Sequence, residues 1–180
     1  MAKEKTVSSQ RIYEGRAINV RVDTVEKPGG ERTTRDIVEH ADCIAVIPVD
    51  AGDNILLVKQ YRTPIGKELL EIPAGGIEPG EDPEAATRRE MQEETGYYPQ
   101  KLERLGGFYS APGYSTEYLY LFLATGLTPG KLFAEDTDEI EIVRVPVGEI
   151  RSMILCGDID DSKSVAGLLT YLEKRKAQGC

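Results

Sequence analysis

Residues 75–97 read GGIEPGEDPEAATRREMQEETGY, from Gly75 to Tyr97, and the later part of that stretch is written as one helix. Asp82 can accept hydrogen bonds from the first free backbone N–H groups. Pro83 takes the first helical position, where its missing N–H costs nothing, and Gly96 supplies a left-handed cap at the far end. These signals predict a helix from Pro83 to Thr95. Along it Glu90, Glu93 and Glu94 stand at offsets of zero, three and four, which puts three carboxylates on one face with Cβ atoms roughly 5–6 Å apart. Like charges so placed weaken a bare helix, whereas a hard dication with oxygen ligands turns their repulsion into attraction. Glu81, just ahead of the cap, can reach the same cluster. Most Glu-rich helix faces are simply solvated. A solvated face does not require the glycine-rich approach Pro73-Ala74-Gly75-Gly76, however, while a metal–phosphate site needs backbone that comes close to its ligand.

Working outward from this stretch, the preceding residues are mainly sheet. Short β-branched or aromatic segments at Arg11 to Tyr13, Ala17 to Val25, Arg32 to Val38 and Cys43 to Val49 alternate with turn residues such as Pro28-Gly29-Gly30. Asp50 to Asn54 separates Cys43 to Val49 from Ile55 to Tyr61, a spacing that suits a hairpin with a longer loop. The prolines and glycines between Thr63 and Glu81 mark an irregular loop. Beyond the acidic helix, strands are expected at Lys101 to Phe108, Glu117 to Ala124 and Ile140 to Val145, and a helix at Val147 to Met153. Val165, Leu168, Leu169 and Leu172 fall at helical spacing within Asp161 to Lys176.

With 180 residues, 40% of them apolar, the chain can bury a full core as one domain. A net charge of −9 repels a nucleic-acid backbone and leaves a small phosphorylated substrate in need of a bridging cation. Cys43, Cys156 and Cys180 are an odd number without a CxxC pair, and His40 is the one histidine, so neither a disulfide framework nor a zinc site follows. No apolar run reads as a signal peptide or a membrane span, which makes the reducing cytoplasm the expected location and a membrane partner unexpected. P-loop, GxGxxG and EF-hand patterns are missing too.

The quoted stretch resembles the Nudix box, G-x5-E-x7-R-E-U-x-E-E-x-G-U, with U an aliphatic or bulky apolar residue. Gly75, Glu81, Arg89, Glu90, Glu93, Glu94 and Gly96 fill the fixed positions, and Met91 and Tyr97 the apolar ones, tyrosine being a slight departure. Seven fixed matches arise by chance on the order of 10⁻⁸ per starting point at average residue usage, so coincidence is not an explanation. The resemblance implies an α/β chain with the Nudix fold, an α/β/α sandwich with a mixed β-sheet and an N-terminal antiparallel strand region. It implies a single Nudix domain over 1–180, with residues 1–40 building a homodimer and part of an adenine site, and 41–180 forming the core. It also implies Mg²⁺ or Mn²⁺ held by Glu90 and Glu94, with Glu93 joining them or positioning water and the Ala74 carbonyl as a further ligand. Arg89, Gly75 and Glu81 are implied as structural support.

Beyond the box the chain is similar to the ADP-ribose pyrophosphatase branch of that family. Lys59-Gln60-Tyr61-Arg62 followed by Glu71-Ile72-Pro73-Ala74-Gly75 looks like the branch's approach to the box, and implies that Arg62 contacts phosphate. Gly106 to Gly113 resembles its substrate loop, marked by Pro112 beside Gly113, although Ala111 stands where the branch often has serine. The acidic run Glu135 to Glu139 matches the loop that can supply the catalytic base, with Glu139 first, Asp138 one residue away and Glu93 third. The implied reaction is hydrolysis of a nucleoside diphosphate derivative, ADP-ribose giving AMP and ribose 5-phosphate. A nucleotide sugar such as GDP-mannose, or a non-catalytic nucleotide-sensing module, is the alternative. Tyr13, Tyr61, Tyr109 and Tyr114 include candidate adenine stackers.

Overall fold

The computed structural model describes residues 3–134 and 140–179. They fall into two compact units, one made of Met1–Asp42 with Tyr109–Tyr118, the other of Cys43–Phe108 with Leu119–Cys180.

In the first unit, β1 (Lys5–Glu14), β2 (Asn19–Glu26) and β3 (Arg32–Glu39) form an antiparallel sheet in that order. Gly30, at φ 83°, turns β2 into β3 as the Pro28-Gly29-Gly30 signal requires. β1 begins at Lys5, earlier than the sequence suggests, because pairing with β2 holds a polar stretch whose own residues carry little strand preference. The segment 111–116 closes against β3: the Ala111 carbonyl accepts from Tyr114 and Ser115, and Val38 exchanges backbone bonds with Tyr114 and Thr116.

The second unit holds β4 (Cys43–Pro48), β5 (Asn54–Arg62), β6 (Lys67–Glu71), β7 (Ala74–Gly76), α1 (Pro83–Thr95), β8 (Tyr97–Tyr109), β9 (Tyr118–Pro129), β10 (Glu141–Pro146), α2 (Val147–Cys156) and α3 (Ser162–Ala177). A four-stranded sheet runs β7-β4-β9-β8, with β4 parallel to β9 and antiparallel to β7, so it is mixed; β10-β5-β6 is a second, antiparallel sheet. Every residue of β4 is buried, and the period of two explains how. Ile44 and Val46 pack with Ala86 and Met91 of α1 and with Phe122. Cys43, Ala45 and Ile47 join a second cluster containing Ile55 and Leu57 of β5, Ile150 of α2 and Leu168 and Tyr171 of α3. Helices therefore cover the mixed sheet on both sides, the α/β/α sandwich expected from the sequence. Among the described residues no helix is long and apolar enough to cross a membrane.

Two expectations are corrected. β4 and β5 are not a hairpin: they lie in different sheets, and the isolated bridge Val49↔Ile55 falls just past the end of β4. A strand apolar on both faces needs cover on both, which β4 finds as an interior strand between β7 and β9, with α1 on one face and α2 and α3 on the other. The stretch Thr63 to Glu81 is not wholly irregular either. It contains a 3-10 turn at Thr63–Ile65 and the strands β6 and β7, whose short runs between prolines and glycines carry no legible period.

Candidate active site

α1 forms as its sequence dictates. The Asp82 carboxylate accepts from the Glu84 N–H at 2.9 Å, and Gly96 adopts φ 72° with its N–H on the Gln92 carbonyl. Ala86, Thr87, Met91 and Thr95 turn into the core. Glu90 and Glu94 flank that stripe, so the packing that buries Met91 also draws both carboxylates partly out of water.

Arg89 ties the cluster together. Its Nε and Nη2 each donate to Glu81 at 2.9 Å, its Nη1 donates to Glu90 at 2.8 Å and to Glu93 at 3.1 Å, and its Nη2 also reaches the Gly76 carbonyl at 2.9 Å. The planar fork suits such multiple pairing. Gly75 is there for space: a Cβ added to it would run into the Glu90 carboxylate. The neighbouring Ala74 N–H donates to Glu94 Oε2 at 3.1 Å, so β7 lies directly against the acidic face of α1.

Electrostatics follow from this crowding. Burial pushes the Glu90 carboxyl above its ordinary value, against the pull of Arg89. Glu94 is pushed up to about 8, first by burial and next by the Glu90 charge, with the Ala74 N–H, Lys163 and Arg62 acting in the other direction. Glu81, paired with Arg89, is held below the usual range. Two desolvated carboxylates that resist ionisation, beside a backbone placed close by a glycine, form an all-oxygen donor set of the kind a hard dication prefers.

Arg62 lies beside this cluster but is engaged elsewhere. Its Nε and Nη2 grip Glu71 at 2.7 and 2.6 Å, and Lys163 Nζ binds the same carboxylate. Glu71, Lys163, Asp161 and Ser164 were not singled out by the sequence reading. Glu71 and Lys163 are 92 positions apart, and no local pattern announces such a pair. Pro112 and Gly113 lie in the first unit, in the turn that begins at Ala111. Glu139 and Asp138 fall outside the described residues. The second unit thus brings together Ala74, Gly75, Glu81, Arg89, Glu90, Glu93 and Glu94.

Known proteins share the fold. The NUDIX domain model matches residues 39–168, and the model of the nucleoside diphosphate sugar hydrolase N-terminal domain matches residues 4–38. Over 177 residues the chain is 36% identical to the ADP-ribose pyrophosphatase of Bacillus subtilis (strain 168), covering 97% of this chain and 95% of that protein. It is 38% identical over 177 residues to the methanol dehydrogenase activator of Bacillus methanolicus, with the same coverage of 97% and 95%. The crystal structure of an ADP compounds hydrolase superposes with a TM-score of 0.90 over 98% of this chain and 96% of that one, at 23% identity, and has the same fold. With the domain match spanning residues 39–168 and full-length relatives on either side of it, the chain belongs to the Nudix family of hydrolases.

Proposed function

We propose that this Nudix hydrolase cleaves the diphosphate of ADP-ribose to AMP and ribose 5-phosphate, with Mg²⁺ or Mn²⁺ held by Glu90, Glu93, Glu94 and the Ala74 carbonyl. One observation carries the metal assignment: Glu90 and Glu94 are partly buried carboxylates pushed toward neutrality, set against a backbone whose Gly75 leaves the Glu90 carboxylate room. The substrate reading leans on the relative named for ADP-ribose, matched along nearly its whole length. When bound, the dications polarise phosphorus, ready a water for attack and offset charge on the leaving phosphate. Arg62 offers guanidinium N–H groups to a phosphate oxygen. Glu139, or Asp138 beside it, accepts the proton of the attacking water, with Glu93 the third candidate; Pro112 and Gly113 shape the substrate loop. Arg89 and Glu81 keep the glutamates in place. The active form is a homodimer built on the N-terminal strands, working in the cytoplasm on a small nucleotide, with no nucleic-acid partner. A complete set of box glutamates favours turnover over nucleotide sensing.

The test is release of product from ADP-ribose, nucleotide sugars including GDP-mannose, dinucleotides and nucleoside triphosphates, each with Mg²⁺, with Mn²⁺ and with chelator. Metal-dependent formation of AMP from ADP-ribose, at the highest kcat/KM of the panel, is the expected result. A better alternative diphosphate overturns the substrate, and an inert protein with either metal overturns the catalysis.

A further inference from the structure

Glu71 is buried to 1% exposure and carries two cations, with Arg62 Nη2 and Lys163 Nζ both on its Oε2. Arg62, 39% exposed, grips it from the solvent side through Nε and Nη2. Lys163, 14% exposed, meets it from the first turn of α3. Asp161, the N-cap of α3, holds Lys163 Nζ at 3.0 Å and also takes Ser164 Oγ at 2.6 Å. Ser164 Oγ in turn accepts from the Ile72 N–H at 2.8 Å, so the start of α3 clamps the chain immediately beside Glu71 and two residues before Ala74.

A buried carboxylate with a single counter-ion cannot give it up, because the uncompensated charge would cost far more than a new surface contact returns. If Arg62 were the sole partner of Glu71, a phosphate would have to compete with that buried charge for the guanidinium. Lys163 removes the conflict. Held also by Asp161 and only 14% exposed, it is too enclosed to serve the substrate itself, and it stays paired with Glu71 while Arg62 turns its fork outward. We propose that Lys163 is a positioning residue that acts through Glu71 to release Arg62 for the substrate's phosphate. The inference rests on the phosphate role given to Arg62 above. The two cations then divide the work by exposure: the enclosed one is structural ballast for the anion, the accessible one the ligand.

Steady-state kinetics on ADP-ribose with Mg²⁺ test this, with thermal unfolding as the check on folding. Arg62→Ala raises KM by about tenfold, the loss of one charged hydrogen-bonding group. Lys163→Met raises KM by about fivefold with a smaller change in kcat, because it weakens binding common to ground and transition states. Lys163→Arg restores KM, and adding Glu71→Gln to Lys163→Met also restores it by removing the anion that captures Arg62. Should Lys163→Met not fold, Lys163→Gln, which removes the charge but keeps a polar, hydrogen-bonding end, is read the same way. An unchanged KM in Arg62→Ala overturns the phosphate role of Arg62 and the proposal with it. A raised KM in Arg62→Ala beside a wild-type KM in Lys163→Met, or a Lys163→Met defect that Glu71→Gln leaves in full, overturns the proposal alone.

Discussion

Glu94 is the residue where packing and charge conflict most directly. It is drawn in by the same helix face that buries Met91 and Thr95, stands one turn from Glu90, and receives one backbone N–H from Ala74. The outcome is a carboxyl pushed up to about 8 from an ordinary value of 4.5. A carboxyl whose folded-state value is raised contributes stability that is complete below its unfolded value and is lost as pH rises through the folded one. In the metal-free protein, then, stability falls between about pH 4.5 and about pH 8, where this carboxyl ionises in the unfolded chain but keeps its proton in the folded one. A bound dication reverses this, because the ionised form becomes the ligand. Metal uptake at pH 7 should therefore release about one proton from this carboxyl. Calorimetric Mn²⁺ titrations in buffers of different ionisation enthalpy measure that number. In Glu94→Gln the proton release should drop, and the thermal midpoint in chelator should depend less on pH; equal proton release in the variant and the parent removes Glu94 from the ligand set.

At the scale of elements, the site is a contact between α1 and the short strand β7, and Gly75 sets its spacing. Gly75→Ala should leave the sheet and helix formed, as judged by circular dichroism, while displacing the Glu90 carboxylate and weakening Mn²⁺ binding by about tenfold, the scale seen when groups that support metal ligands are lost. Unweakened binding would mean that Glu90 need not approach β7. The same contact shows what was legible in the sequence. α1 was readable to the residue because its caps, its proline and its glutamate spacing are all local and agree with one another. β6 and β7 were not, because five- and three-residue strands owe their form to partners, β5 for one and β4 for the other. The supposed hairpin of β4 and β5 failed for a related reason: adjacency in sequence suggested pairing, but a strand buried on both faces sits inside a helix-covered sheet, and β4 takes β9, more than 70 positions away, as its neighbour. Glu71 and Lys163 stayed hidden because a buried ion pair formed by one strand and a distant helix leaves no periodic trace in either.

At the scale of the whole molecule, the N-terminal unit poses a problem that the proposed homodimer would solve. Among its described residues only Asp23 and Val25 are buried, and all ten residues of β1 are exposed. Val7, Ile12 and Tyr13 of that strand lie 42%, 56% and 55% exposed, and its register with β2 shifts between Thr6 and Ser8 and between Arg11 and Tyr13. A long edge strand with exposed apolar residues invites pairing with another chain unless something covers it. A two-fold arrangement presents the same strand region on each protomer and covers both at once, whereas an unclosed arrangement would propagate into filaments. The proposed homodimer has a measurable mass. Sedimentation equilibrium at micromolar concentration should give twice 19.9 kDa for the parent chain. Ile12→Lys combined with Tyr13→Lys places two charges on β1 where an incoming chain would dock, and should shift the mass toward 19.9 kDa without loss of the circular dichroism of the second unit's helices. A parent chain that sediments as a monomer overturns the dimer. A double variant that stays dimeric while folded moves the interface away from β1, leaving the exposed strand to be explained by some other partner.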